Sequence, residues 1–562
     1  MKQETLSPEY LSHIPEDAGH AILSYLNLPP VGCIADTRHT DALMGERAYE
    51  LSSDLRAHLR QYRDRNGGRF NDLKDLLNIP NLGTASLSDM EQRLSNLTRH
   101  GNRARAVWGG PESEAAFFEL IESATQYIHI STYIVGGQAG MRLAELLVRK
   151  QKEGVKVRIM FCATGFVISG SPSGTGFASR FSELRSWLYN DMYVRKKIVG
   201  LFRQENIPFI NNVPIGRHWR RRDFRENGVH DADTYEAWAR ERGIPDRWLE
   251  DQRAIDKECT IPFANVDHRK MVIVDGVRGF VGSQNLADSY FFSNELSMDP
   301  SVNWKNWQWL DNSTLLDGPV MTEVNRLFAE RWALSGGDLF DPNDSMYAPP
   351  PTRAGYATVM FEATRPGWVT LPFATNFPRM MGAFVGVDAR PVSEGYNPVR
   401  TRIEMLPTMA ETDLYVEHCY PSDSELLSKW ASAASRVEDF TMIVPFHYDT
   451  HVLGFECDRN YPELNAAGIR LLGYDRAIVH SKIAVMDSFY TVTGSYNLNL
   501  RSCRADLELE FFIQCAEYGE TVKKRITEDM AFSKPVTPGP VARYRSRHTI
   551  PVFDAVIRYL IL

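Results

Sequence analysis

Asp267-His268-Arg269-Lys270-Met271-Val272-Ile273-Val274-Asp275-Gly276, followed by Gly282-Ser283-Gln284-Asn285, has an echo later in the chain. The echo is His480-Ser481-Lys482-Ile483-Ala484-Val485-Met486-Asp487, followed by Gly494-Ser495-Tyr496-Asn497. Both copies read H-x-K-x4-D-x6-G-S-x-N. A single His-x-Lys is usually an ordinary surface or core pair. Two complete copies with every spacing kept are a repeated functional unit.

Each copy is a β-branched run closed by turn residues, which is the pattern of a strand. Side chains two apart on a strand share a face, so His268 and Lys270 point the same way, as do His480 and Lys482. Asp275-Gly276 is a strong two-residue hairpin signal, and Asp487-Ser488 is a weaker one at the same place. Two-residue turns there set Ser283 opposite His268 and Ser495 opposite His480, with Asn285 and Asn497 at the strand exits. Each hairpin then gathers an imidazole, an ammonium, a hydroxyl and an amide at one end. That set suits a phosphate: lysine supplies charge, while serine and asparagine supply neutral donors to its oxygens. Histidine can attack phosphorus or carry a proton near neutral pH, so two facing sets provide a nucleophile and a general acid. Asp275 and Asp487 have the opposite parity to the lysines on their strands. They are expected to point away from the phosphate as turn or salt-bridge residues.

The paired motifs resemble the phospholipase D superfamily, and their surroundings are similar to bacterial cardiolipin synthases and their phospholipase relatives. Asp267 to Lys270, Val274-Asp275-Gly276 and Phe280-Val281-Gly282 resemble the first motif of those synthases. So do Trp309-x-Asp311, Gly318-Pro319 and Phe328-x-x-x-Trp332; Asn497 to Ser502 and Glu508 resemble the end of the second. The likeness covers roughly Ala104 to Thr527. It implies attack on a phosphodiester by one histidine to give a phosphohistidine, while the other protonates the departing alcohol and then activates the acceptor. By position, His268 is the nucleophile and His480 the acid/base, with the reverse assignment open. Lys270, Lys482, Asn285 and Asn497 are expected to hold the phosphate, with Ser283 and Ser495 as supporting substrate-binding residues. Asp311, or Glu295 as a fallback, orients one imidazole and Glu508 the other. No metal or other cofactor is required.

The net charge of −8 and pI near 6.0 argue against a general nucleic-acid binder. Seven cysteines lie scattered without a C-x-x-C or C/H cluster, as expected of reduced thiols. The first 29 residues show no standard signal peptide, and nowhere do about 18 apolar residues run together. A phospholipid substrate met by peripheral membrane contact is the expectation, in the cytoplasm or at a membrane surface.

In chain order, 1–103 is expected to be a helical region outside the resemblance, with an amphipathic helix at Ala48–Arg63. Phe70 to Gly83 resembles a helix-hairpin-helix, although an ordinary helical hairpin is the plainer reading, with Asn81 tolerating a left-handed conformation. The first catalytic half is placed at 104–345, a linker or irregular insertion at 346–401, and the second half with a tail at 402–562. Within the first half, Tyr127–Val135 and Val155–Phe161 are strand-like and Met141–Lys152 helical; Asp413–Cys419, Phe440–Pro445 and Glu425–Ser435 repeat that order. The fold expected is α/β: two similar subdomains, each a mixed sheet flanked by helices, sharing one site. Gly165–Gly176 reads as a mobile loop, and Val552–Leu562 as core packing. Arg217, Arg220, Arg221, Arg222 and Arg225 form an arginine cluster, of which Arg220 and Arg221 are candidate contacts for an anionic headgroup.

Cleavage or transfer of a phosphatidyl group is therefore the leading expectation. A nuclease with the same motifs is the alternative, and an exported antibacterial lipase delivered without a cleaved signal a lesser one.

Overall fold

The computed structural model describes residues 6–26, 58–59, 61–62, 65–66, 70–94, 97–161, 194–211, 215–258, 266–291, 309–364, 398–410, 412–446, 448, 451–504 and 506–536. Gly165–Gly176, Glu295, Val552–Leu562, most of Ala48–Arg63 and most of Met380–Val399 lie outside them.

The strands of the first half are β1 (Arg103–Trp108), β2 (Tyr127–Thr132), β3 (Lys156–Phe161), β4 (Phe209–Asn211), β5 (Met271–Val274) and β6 (Arg278–Gly282). Then come β7 (Trp309–Leu310), which pairs elsewhere, and β8 (Asn312–Asp317). Those of the second half are β9 (Thr358–Ala363), β10 (Asp413–His418), β11 (Asp439–Pro445), β12 (Arg470–Tyr474) and β13 (Ile478–Val479). It ends with β14 (Lys482–Met486), β15 (Tyr490–Gly494), β16 (Leu509–Gln514) and β17 (Ser533–Pro535). The first sheet runs β1-β8-β6-β5-β2-β3-β4 and the second β9-β16-β15-β14-β10-β11-β12-β17. One order maps onto the other, with β17 added at the far edge. In both, the two adjacent crossover strands are parallel and the motif hairpin is antiparallel. The repeat expected from the element order is therefore a repeat of topology.

The stretch read as a linker is not all linker. Thr358–Ala363 within it is the edge strand of the second sheet, paired antiparallel with β16 from Ala363↔Leu509 to Thr358↔Gln514. Its proline-rich approach, Pro349-Pro350-Pro351, hid a short run whose partner is about 150 residues away.

Alternation along the central strands explains the layering. Val272 and Val274 face one way, into a core with the helices Pro111–Glu122 and Gly137–Lys152. Met271 and Ile273 face the other way, into a core shared with Ile483, Val485, Phe511 and Ile513 of the second sheet. The helices Val320–Leu334 and Ala516–Met530 contribute Phe328, Trp332, Val522 and Ile526 to that shared core. Ala484 and Met486 point outward to the helices Pro398–Met409 and Ser424–Ala433. The two sheets are thus joined through one continuous apolar seam.

The hairpins carry the main correction. Asp275 and Gly276 are both left-handed (φ 52° and 73°), as are Asp487 and Ser488 (53° and 56°), so the turn residues are those expected. The register is not, because Val274 pairs with Arg278 and Met486 with Tyr490. One extra residue, Val277 or Phe489, is inserted after each turn, a bulge that shifts the return strand by one. Its carbonyl accepts from the next layer, from Gly318 N at 2.7 Å for Val277 and from Cys515 N at 3.1 Å for Phe489. Ser283 and Ser495 therefore do not stand opposite the histidines.

At the amino terminus, the helices Pro8–Ser12, Glu16–Leu26 and Thr84–Leu94 and a 3-10 turn at Leu73–Asn78 enclose a small core of Leu11, Ile22, Leu76, Ile79 and Leu82. Asn81 adopts the left-handed conformation (φ 65°) at the bend.

Candidate active site

Each histidine lies just before its motif strand and is fastened by the opposite half. β13 runs parallel to β7, with Val479 on Leu310, and His480 N donates to Leu310 O at 2.7 Å. The counterpart is a parallel bridge between Asp267 and Leu507, and His268 N donates to Leu507 O at 2.9 Å. The residue after each clamping position is the carboxylate. Asp311, from the first half, accepts from His480 Nδ1 at 2.7 Å. Glu508, from the second half, accepts from His268 Nδ1 through both oxygens at 3.1 Å. With Nδ1–H given to a carboxylate, Nε2 keeps its lone pair, which is the tautomer a nucleophile or base needs.

The lysines lie beside them. Lys270 Nζ donates to His268 O at 2.7 Å and Lys482 Nζ to His480 O at 2.8 Å. One of three ammonium hydrogens is committed to that bond in each case. Both lysines are buried, with relative exposures of 4% and 1%. Burial pulls Lys270 down to about 7, offset by Glu508 and reinforced by Lys482 across the seam. Burial, with Lys482 next, lowers His480 to about 3, and burial, with Lys270 next, holds His268 well below its usual value. Lys270 also acts on His480 and Lys482 on His268, so the two motif sets share one electrostatic field. A bound phosphodiester anion opposes the lysine charges that keep both imidazoles neutral.

The carboxylates differ. The contact with His480, then the Lys482 charge and the hydroxyl of Ser283, hold Asp311 below the usual carboxylate range despite its burial. Burial raises Glu508 to about 7 even though Lys270, Ser495 and Ser502 pull it down.

Of the asparagines, Asn285 donates to Tyr290 Oη at 2.9 Å and accepts from Ile134 N at 3.3 Å. Asn497 accepts from Cys419 Sγ at 3.0 Å. Ser283 and Ser495 are wholly buried and give their hydroxyls to Asp311 and Glu508. They steady the carboxylates, which corrects their expected place on the substrate: the one-residue register shift turns them toward the carboxylate layer. Asp275 accepts from the backbone N–H groups of Thr125, Gln126 and Tyr127 at 2.8–2.9 Å. Asp487 accepts from those of Thr412 and Asp413 at 2.8 and 3.1 Å. Both aspartates therefore tie the turn to the entry of the neighbouring strand. Arg221 is paired with Asp223 and donates to Ser335 O at 2.9 Å, so its guanidinium is engaged by the protein. Arg220 is exposed.

Aromatic rings wall the histidines. Tyr133 meets His268 edge-on at 5.0 Å; Tyr290 and Trp309 lie 5.3 and 5.0 Å from His480, and Tyr420 6.3 Å. Apart from Trp309 these were missed in the sequence. Superposing the halves does not align them, since Tyr133 follows β2 by one residue and Tyr420 follows β10 by two. Ser502, part of the second motif's end but given no role in the sequence, donates its hydroxyl to Glu508.

Among the described residues no helix is long and apolar enough to cross a membrane. A family model described as "Cardiolipin synthase, PLD-like domain" matches residues 117–332 and 406–530, more than half of the chain. A cardiolipin synthase of Geobacillus sp. (strain WCH70) is 22% identical over 460 residues, 81% of this chain and 71% of that protein. Cardiolipin synthase A of Erwinia tasmaniensis is 26% identical over 264 residues, 47% of each chain. Among solved structures, a phosphatidylserine synthase of Haemophilus influenzae Rd KW20 covers 84% of this chain and 98% of its own at 12% identity, with a TM-score of 0.49. The family match takes in both histidine–lysine sets and both carboxylates, and so the chain belongs to the cardiolipin synthase, PLD-like domain family.

Proposed function

We propose that this protein transfers a phosphatidyl group between alcohols by way of a phosphohistidine, with His268 as nucleophile and His480 as acid and base. The observation that carries the reading is the crossed arrangement of carboxylates, in which each half orients the other half's imidazole. An imidazole held in this way presents Nε2 to phosphorus, and covalent catalysis divides one hard displacement into two easier ones. His480 is the better proton donor to the leaving alcohol. Its partner Asp311 is held ionised, which stabilises the imidazolium, whereas Glu508 near 7 is half protonated at neutrality. Lys270, Lys482, Asn285 and Asn497 hold the non-bridging oxygens. The aromatic wall around Tyr133, Tyr290 and Trp309 keeps bulk water from the intermediate, which favours an alcohol acceptor.

The test incubates the protein with phosphatidylglycerol, phosphatidylethanolamine and plasmid DNA in parallel, with His268→Ala as control. Diphosphatidylglycerol formed with little phosphatidic acid is the expected result. Phosphatidic acid alone would replace transfer by hydrolysis, and cut DNA beside intact lipid would overturn the lipid reading.

A further inference from the structure

The first half carries a lobe that the second lacks. Between β4 and β5 lie a 3-10 turn at His218–Arg220 and helices Arg222–Glu226, Ala232–Glu241 and Asp246–Glu258. In the second half only Asp475–Ala477 separates β12 from β13. The lobe has its own apolar core (Phe224, Tyr235, Trp248, Leu249), completed by Ala333 and Leu334 from the helix Val320–Leu334.

Its arginines divide into two groups. Arg221 pairs with Asp223 and Arg222 with Glu226. Arg217, Arg220 and Arg225 are in no ion pair among the described residues, and Arg220 and Arg225 are exposed. They are close enough to act on one another: partial burial first, then the charges of Arg217 and Arg225, lower the proton affinity of Arg220. Asp256, raised by its burial and pulled back down by the Arg217 charge among others, is a single carboxylate beside several cations, and their remaining mutual repulsion favours an added anion. The Arg220 guanidinium lies over the Trp219 ring at 5.1 Å, and Trp219 and Arg217 line a cleft of about 260 Å³ whose other polar walls are Tyr235, Gln252, Arg253 and the carboxylates of Glu236 and Asp256. Arg217 is itself in the left-handed region (φ 53°), a conformation that costs a non-glycine residue energy and is held here by its N–H donating to Asp256 at 2.5 Å.

The lobe is also wired to the site. Asp256 accepts from Gln252 Nε2 at 2.7 Å, and Gln252 Oε1 accepts from Arg331 Nη1 at 3.3 Å. Arg331 Nε lies 3.6 Å from Asp267, the residue before His268.

We propose that Arg217, Arg220 and Arg225, with Trp219 between them, form a docking surface for anionic phospholipid headgroups at a bilayer, placing the membrane beside the first-half histidine. The inference rests on the lipid reading above and adds the surface that meets the bilayer. Guanidinium groups match phosphate oxygens in pairs, and an indole settles at the headgroup level. The overall negative charge of the chain makes a local cationic cluster the part that an anionic surface selects.

The experiment measures binding of the full chain carrying His268→Ala, so that turnover plays no part, to phosphatidylcholine vesicles with and without phosphatidylglycerol. Binding is expected only with phosphatidylglycerol and should weaken as salt rises. R217A/R220A/R225A should weaken it on the order of a hundred-fold, from about five-fold per basic side chain near an anionic surface. A charge-matched control, R142A/R149A/K152A, removes ion-paired cations from the helix Gly137–Lys152 and should leave binding nearly unchanged. Equal loss in both variants, or no loss in the first, overturns the proposal. So does binding of glycerol 3-phosphate by a chain that ignores vesicles. Vesicle binding by the unsubstituted chain without any lipid turnover would instead count against the catalytic reading alone.

Discussion

His480 with Asp311 and His268 with Glu508 come from the same motif, occupy equivalent places in equivalent sheets, and still differ. The first pair is a single bond of 2.7 Å to a carboxylate held ionised. The second is a symmetric contact at 3.1 Å to both oxygens of a carboxylate raised to about 7, with the carbonyl of Ser495 also 3.2 Å from the imidazole. Residue identity sets the role only in part. The balance of burial against neighbouring charge completes it.

The largest expected effect separates the two histidines. His268→Ala and His480→Ala should each lower turnover by about four orders of magnitude or more. Labelled protein, quenched in denaturant at alkaline pH where the P–N bond survives, should show a phosphohistidine in His480→Ala but none in His268→Ala. The opposite pattern would exchange the assignments.

Asp311→Asn should cost about a hundred-fold or more in kcat, since it removes the charge that stabilises the His480 imidazolium. Glu508→Gln should cost about ten-fold at pH 7, because part of that carboxylate is already protonated there. Raised by burial to about 7, Glu508 is ionised above that pH and protonated below it. Activity of the free enzyme should thus fall as pH drops through 7, and Glu508→Gln should remove that limb. Equal losses in the two variants, with unchanged profiles, would mean the pairs are equivalent after all.

The two halves should be alike at their turns. Asp275→Ala and Asp487→Ala each strand buried backbone N–H groups and should cost about 1–3 kcal/mol, read as a lower Tm with the chemistry retained. A further effect concerns pH and stability. Lys270 is lowered from 10.5 to about 7, so the unfolded chain binds its proton more tightly across that window. Stability of the free protein should rise with pH from 7 toward 10.5 through this group, and Lys270→Met should flatten that slope.

The hydrogen-bonding partners in the sequence were unevenly legible. His268, Lys270, His480 and Lys482 stood out because a strand puts every second residue on one face, whatever surrounds it. The turn residues were readable too, since few residue types tolerate consecutive left-handed conformations. Neither copy announces the bulge at Val277 or Phe489, whose carbonyls bond to Gly318 and Cys515. That single residue moved Ser283 and Ser495 from the substrate to Asp311 and Glu508. Thr358–Ala363 passed for linker because an edge strand is defined by its partner β16 rather than by its own pattern.

By itself the sequence determined the repeated motif, the α/β alternation and the residue types that meet a phosphate, because these depend on neighbours a few positions apart. Only the tertiary structure decided which carboxylate holds which imidazole, how far burial moves each proton, and which arginines are in no ion pair among the described residues. Those outcomes depend on groups hundreds of residues apart along the chain, and their energies exist only where packing excludes water and brings the charges together.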